Sequence, residues 1–109
     1  MDYNQYQQVM NDTKWEEIRL AMYDYPNNHQ WRTKDMETGY ACPWEGEWYY
    51  HFKSGGYKNI EWLEIRSETE EIRDDIIKIL STIHVPGEVF NDVIKVYGYV
   101  EISKPLGYL

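Results

Sequence analysis

A chain of 109 residues, 42% hydrophobic and 28% charged, has room for one globular domain and is too apolar to be disordered. Nineteen acidic against 11 basic residues give a net charge of −8, which excludes the clustered cationic surface that phosphate recognition needs, so no nucleic-acid partner is expected. One cysteine, Cys42, excludes an intrachain disulfide and fits a reducing, cytoplasmic setting, and no stretch nears the roughly 18 apolar residues of a membrane helix.

Residues 1–10 are polar, lack the basic start and apolar run of a signal peptide, and read as a flexible extension. Met10, standing just before a strong helix start, reads as an alternative initiator to Met1. Thr13-Lys14-Trp15-Glu16 matches a capping box, and Trp15, Ile18, Met22 and Tyr25 recur at helical spacing, predicting a helix over 13–24. Pro26-Asn27-Asn28 ends it.

His29 to Glu37 reads as a strand, with Trp31, Thr33 and Asp35 on one side and Arg32, Lys34 and Met36 on the other. Thr38-Gly39 is a turn, and Pro43 confines the segment Tyr40–Trp44 to a sheet edge or an ordered loop. Glu47 to Lys53 predicts a strand with Trp48, Tyr50 and Phe52 on one face and Tyr49, His51 and Lys53 on the other. Ser54-Gly55-Gly56 would turn it into a hairpin with Ile60–Ile65. That return strand carries Ile60 and Trp62 on one face and Leu63 and Ile65 on the other, as a central strand does.

Ser67-Glu68-Thr69-Glu70 is a second capping box, followed by Ile72, Ile76, Ile79, Leu80 and Ile83 at helical spacing, which predicts a helix over 68–82. Glu68, Glu70 and Glu71 suit the positive end of its dipole. His84-Val85-Pro86-Gly87 breaks it, Glu88–Asp92 is a short turn, and Val93–Ile102 alternates as a final strand with Gly98 at a bulge or close approach. The expected fold is α+β: a small, mostly antiparallel sheet with two amphipathic helices in the order α-β-β-β-α-β. Residues 11–104 make the domain and 105–109 a tail.

No spacing typical of a metal or catalytic motif occurs, and no cofactor is expected. His51 on the hairpin, close to Glu61 or Glu64 on the partner strand, would form either a pair suited to acid–base work or, on the plainer reading, a cross-strand polar pair on a solvent face. Glu61 and Glu64, three apart on a strand, point to opposite faces and cannot act as paired catalytic carboxylates. His84 suits a helix C-terminus, and Cys42 reads as a small, partly buried residue. Gly55-Gly56 lacks the Lys and the helix of a phosphate loop.

The unusual feature is aromatic content, 17%, with eleven Tyr and five Trp against two Phe. Tyr and Trp join an apolar body to a polar tip and suit interfaces. Trp31, Trp44, Trp48, Tyr49, Tyr50, His51, Tyr57, Glu61 and Trp62 are therefore the candidate binding surface.

The runs Asn11-Asp12-Thr13-Lys14-Trp15, Trp31-Arg32-Thr33-Lys34-Asp35, Trp44-Glu45-Gly46-Glu47-Trp48-Tyr49-Tyr50-His51-Phe52, Val85-Pro86-Gly87-Glu88 and Val96-Tyr97-Gly98-Tyr99 resemble a family of small bacterial proteins of unknown function, over about residues 10–102. The resemblance implies a bacterial, cytoplasmic protein and transfers no catalytic residue. The leading expectation is a non-enzymatic interaction domain, an immunity-like inhibitor of a basic protein partner being one form of it. The alternative is a small-ligand or enzymatic domain with a pocket lined by Trp48, Trp62, Tyr50 and His51. A homodimer through the aromatic face or an open sheet edge is a third reading.

Overall fold

The computed structural model describes residues 5–109. Along the chain these form β1 (Tyr6–Gln8), α1 (Asp12–Asp24), β2 (His29–Asp35), β3 (Ile60–Ser67), α2 (Glu70–Ile83), β4 (Gly87–Val89), β5 (Val93–Tyr97) and β6 (Tyr99–Glu101). The architecture is mixed α+β, with two helices and antiparallel sheets. The larger sheet has the order β2-β3-β5-β4, and β1 pairs with β6 in a second sheet of two strands.

Both helices start where a short polar side chain takes up a free N–H. In α1 the cap is Asn11, which accepts from the Lys14 backbone N–H at 2.8 Å, and not Thr13 as the capping-box pattern suggests. Glu16 is thereby freed for other bonds. In α2 the cap is Thr69, which accepts from the Ile72 N–H, two residues beyond the expected Ser67. At its far end His84 turns left-handed, φ 65°, and its N–H reaches the carbonyls of Leu80 and Ser81. The His84 ring stacks on Tyr108 at 4.6 Å. The cation at this helix end is Lys14, whose ammonium donates to the Ile83 and His84 carbonyls and so fastens α1 to α2.

The strand register explains the layering. Trp31, Ile65 and Ile94 lie side by side, as do Thr33, Leu63 and Val96. This face is covered by Trp15, Ile18 and Met22 of α1 and Ile76 and Leu80 of α2, all in one buried cluster. Each aliphatic side chain fully buried there contributes about 1.5–3 kcal/mol. The other face carries the row Arg32, Glu64 and Lys95, in which Glu64 accepts from Arg32 at 2.7 Å and meets Lys95 at 3.4 Å.

β3 is a central strand, between β2 and β5, but not because both faces are apolar: a register shift at Asp35 puts Ile60 in the core with Leu63 and Ile65, the other face carries Trp62 and Glu64, and its partner is β2 and not residues 47–53. The expected strand over Glu47–Lys53, and with it the hairpin at 46–65, is replaced by turns. The Glu47 carboxylate accepts the backbone N–H groups of Tyr49, Tyr50 and His51 at 2.7–3.0 Å, the donors a sheet ladder would have used. Ser54 N–H then bonds to Tyr50 C=O, and Trp48 and Phe52, four apart, turn inward together. Gly55 and Gly56, with φ of 84° and 80°, complete a tight turn, though not a hairpin. The segment around Pro43 runs along the edge of β2, with reciprocal backbone bonds between Trp31 and Glu45, as an edge segment was expected to.

Residues 88–92, expected as a turn, include part of β4. The long final strand divides at Gly98 into β5 and β6. A Cβ there would stand 2.0 Å from the Ile60 carbonyl oxygen, so this is the close approach anticipated. In the segment 1–10, expected as a flexible extension, residues 1–4 lie outside the described ones, Tyr6–Gln8 form β1, and Met10 is buried. In the segment 105–109, expected as a loose tail, Tyr108 bridges to Pro86 and Leu109 packs on the core. No helix among the described residues is long and apolar enough to cross a membrane.

Candidate interaction surface

The nine candidate residues separate into three places. Trp31 and Trp48 are core residues, each 3% exposed, and pack with Phe52 at ring separations of 4.8–5.4 Å. Their indole N–H groups find partners, as buried tryptophans require. Trp31 donates to the Glu47 carbonyl at 2.9 Å and Trp48 donates to His29 Nε2 at 2.8 Å. Burial is the main influence on His29 and lowers its pKa below the ordinary 6.5.

Trp44 and Trp62 belong to the opposite face of the sheet. The Trp44 ring has guanidinium groups of Arg32 and Arg66 over it at 4.7 and 4.2 Å, and Lys95 lies 4.6 Å from the Trp62 ring. Glu61 lies 3.4 Å from the Lys34 ammonium, on the same face as Glu64 and not the opposite one expected, because the register shift at Asp35 turns it round. This face is thus closed by its own cations and carboxylates.

The third place is the loop itself. Tyr49 and Tyr50 pack edge to face at 4.9 Å, and Tyr49 also meets Tyr23 of α1 at 5.4 Å. The three remain exposed, Tyr23 at 55%, Tyr49 at 44% and Tyr50 at 67%. Buried Arg19 supports them from below: it donates to the Tyr49 carbonyl at 2.9 Å, and its guanidinium lies 5.4 Å from the Tyr49 ring centre. Tyr23 was not a candidate from sequence, although its position beside Met22, off the stripe of Trp15, Ile18 and Met22, marks it as outward-facing.

Carboxylates surround these rings. Glu16 accepts from Arg19 Nε and from the Tyr57 hydroxyl, each at 2.6 Å. The Arg19 bond, then the Tyr57 bond, hold its carboxyl at about 2. Burial, and after it the hydrogen bond to Glu16, pushes the Tyr57 phenol well above its ordinary value. Tyr57 is therefore a half-buried strut. Glu47 is held below the usual carboxylate range chiefly by the His51 N–H, then by Tyr50 and Tyr49. His51 pairs with Glu45 at 3.0 Å and approaches Glu47 at 3.9 Å, not Glu61 or Glu64 as the expected hairpin implied.

The four side chains of the alternative pocket do not converge: Trp48 lies in the core, Trp62 on the outer sheet face, and Tyr50 and His51 on the exposed loop. Cys42 is half-buried and its sulfur accepts from the Thr33 N–H at 3.3 Å. Among the described residues no group of three His, Cys, Asp or Glu side chains is placed to hold a metal ion.

What this assembly offers chemically is an aromatic platform rimmed by anions, with the His51–Glu45 pair beside Tyr50. No curated protein and no solved structure matches the chain. A family model does match, over residues 1–103, and the chain belongs to that family, described as a family of unknown function, DUF6678.

Proposed function

We propose that the protein is a non-catalytic interaction domain that binds a basic protein partner through Tyr23, Tyr49 and Tyr50. The observation that carries this reading is that three tyrosine rings, with Tyr49 packed on both Tyr23 and Tyr50, are left 44–67% exposed. A preorganised aromatic anchor loses little entropy on binding, and Tyr is among the residues that dominate interface energetics. The rim of Glu16, Glu45 and Glu47 and the net charge of −8 favour a cationic partner and would speed its approach. A toxin-neutralising, immunity-like role fits that chemistry as a class.

The test is affinity capture from the source cell, run in parallel with the wild type and a Tyr49→Ser/Tyr50→Ser variant. The expected result is one basic protein held by the wild type, lost by the variant, and released in roughly 1 M salt, where the Debye length is roughly 3 Å. A retained protein indifferent to both changes would refute the assignment.

A further inference from the structure

The bond between Trp48 and His29 has one polarity. Indole Nε1 only donates, so at 2.8 Å the His29 Nε2 must present its lone pair. The Asn27 carbonyl only accepts, so Nδ1, 2.8 Å away, carries the proton. The two partners together specify a single neutral tautomer. A second proton at Nε2 would set N–H against N–H.

The ring lies between Tyr25 and Trp48, at 5.6 and 5.8 Å. Apart from Glu68, the titratable and charged groups around it are engaged elsewhere. The Tyr25 hydroxyl of the α1 end is bonded to Asp75 of α2. Glu47 on the loop is held by three backbone N–H groups. Arg66 of β3 is bonded to Gln30, and it lines with Glu68 a groove past His29 that gives water a route to the ring. Among the described residues no carboxylate forms an ion pair with His29, so the Asn27 carbonyl is its one hydrogen-bonded compensation for an imidazolium, and burial outweighs it. Burial accordingly lowers the His29 pKa.

We infer that His29 is a proton-operated latch on the tyrosine-bearing loop: proton uptake at Nε2 expels the Trp48 indole and detaches residues 47–51 from the sheet. Tyr49 and Tyr50 follow directly after Trp48, so the latch governs the presentation of the contact surface. That regulatory meaning rests on the interaction reading above; the detachment does not.

The experiment follows ¹⁵N–¹H spectra of the full chain from about pH 7.5 to about pH 4.5, which spans the ordinary histidine range. The Trp48 indole signal is expected to shift along one titration curve, and the backbone signals of Tyr49 and Tyr50 along the same curve. His29→Gln, whose amide oxygen accepts from the indole without titrating, is expected to abolish the curve. His51→Gln is expected to leave it, which separates His29 from the nearest other histidine of the loop. Trp48→Phe removes the opposing donor and is expected to raise the His29 midpoint.

A Trp48 indole that stays still while His29 titrates overturns the latch, as does a curve that survives His29→Gln. Should His29→Gln fail to fold, an unchanged His29 midpoint in Trp48→Phe overturns it instead. These readouts need no partner. Failure to find one sinks the interaction reading and leaves the latch, whereas an absent latch leaves partner binding intact.

Discussion

The Tyr57 hydroxyl donates to Glu16 at 2.6 Å, so the same carboxylate that grips Arg19 ties the end of the long β2–β3 connection to α1. Glu16→Ala leaves buried Arg19 and half-buried Tyr57 without their acceptor and is expected to cost about 1–2 kcal/mol, a figure discounted because the carboxylate is partly exposed. The folded pKa, about 2, lies below the ordinary 4.5. The stability this group contributes is therefore complete above that ordinary value and is lost as pH falls towards 2. Urea midpoints across the acid range should fall in the wild type and change less in Glu16→Gln; equal slopes would contradict this account.

Glu47 holds the loop in its turned form by accepting from Tyr49, Tyr50 and His51. Glu47→Ala should free the three N–H groups, destabilise the fold by about 1–3 kcal/mol, and raise amide exchange at residues 49–51 above that at β3. Exchange unchanged at these positions would mean that the core rings alone set the loop.

Gly98→Ala forces a methyl group against the Ile60 carbonyl at 2.0 Å, with Trp15 at 3.1 Å behind it. Backbone on one side and a core indole on the other leave nothing cheap to move. A loss of more than about 3 kcal/mol, or failure to fold, is expected in thermal melts.

Among the aromatic residues, cost should follow place. Trp48→Ala opens a cavity beneath α1 and is expected to cost about 3–5 kcal/mol. Tyr50→Ser, at an exposed ring, should change stability by no more than about 0.5 kcal/mol. Chemical denaturation of the two variants checks the contrast. A large loss from Tyr50→Ser would move that residue from the contact surface into the packing.

Much of the frame was legible because it rests on periodicity. The stripe of Trp15, Ile18 and Met22, the run of Ile76 and Leu80, the shared face of Leu63 and Ile65, and the close approach at Gly98 all follow from spacing. The loop was not legible. Trp48-Tyr49-Tyr50-His51-Phe52 satisfies a period of two through Trp48, Tyr50 and Phe52, but also a period near four through Trp48 and Phe52 alone. A carboxylate three to four residues ahead of the Tyr50 and His51 amides decides between them, and that is a tertiary preference no propensity reports. The caps slid by two residues for a similar reason, since Asn11 and Thr69 compete with Thr13 and Ser67 for the same donors. Of the candidate surface, Tyr49 and Tyr50 are exposed, while Trp31 and Trp48 belong to the interior. Tyr23 joins the surface only because the loop folds back over α1.

Gly98 has a consequence beyond its lack of a side chain. Its N–H donates to Glu61 in the larger sheet and its carbonyl accepts from Val9 beside the smaller one. Two successive peptide groups meeting at one Cα thus join the two sheets, so the strand that begins near the N-terminus is tied to the centre of the fold.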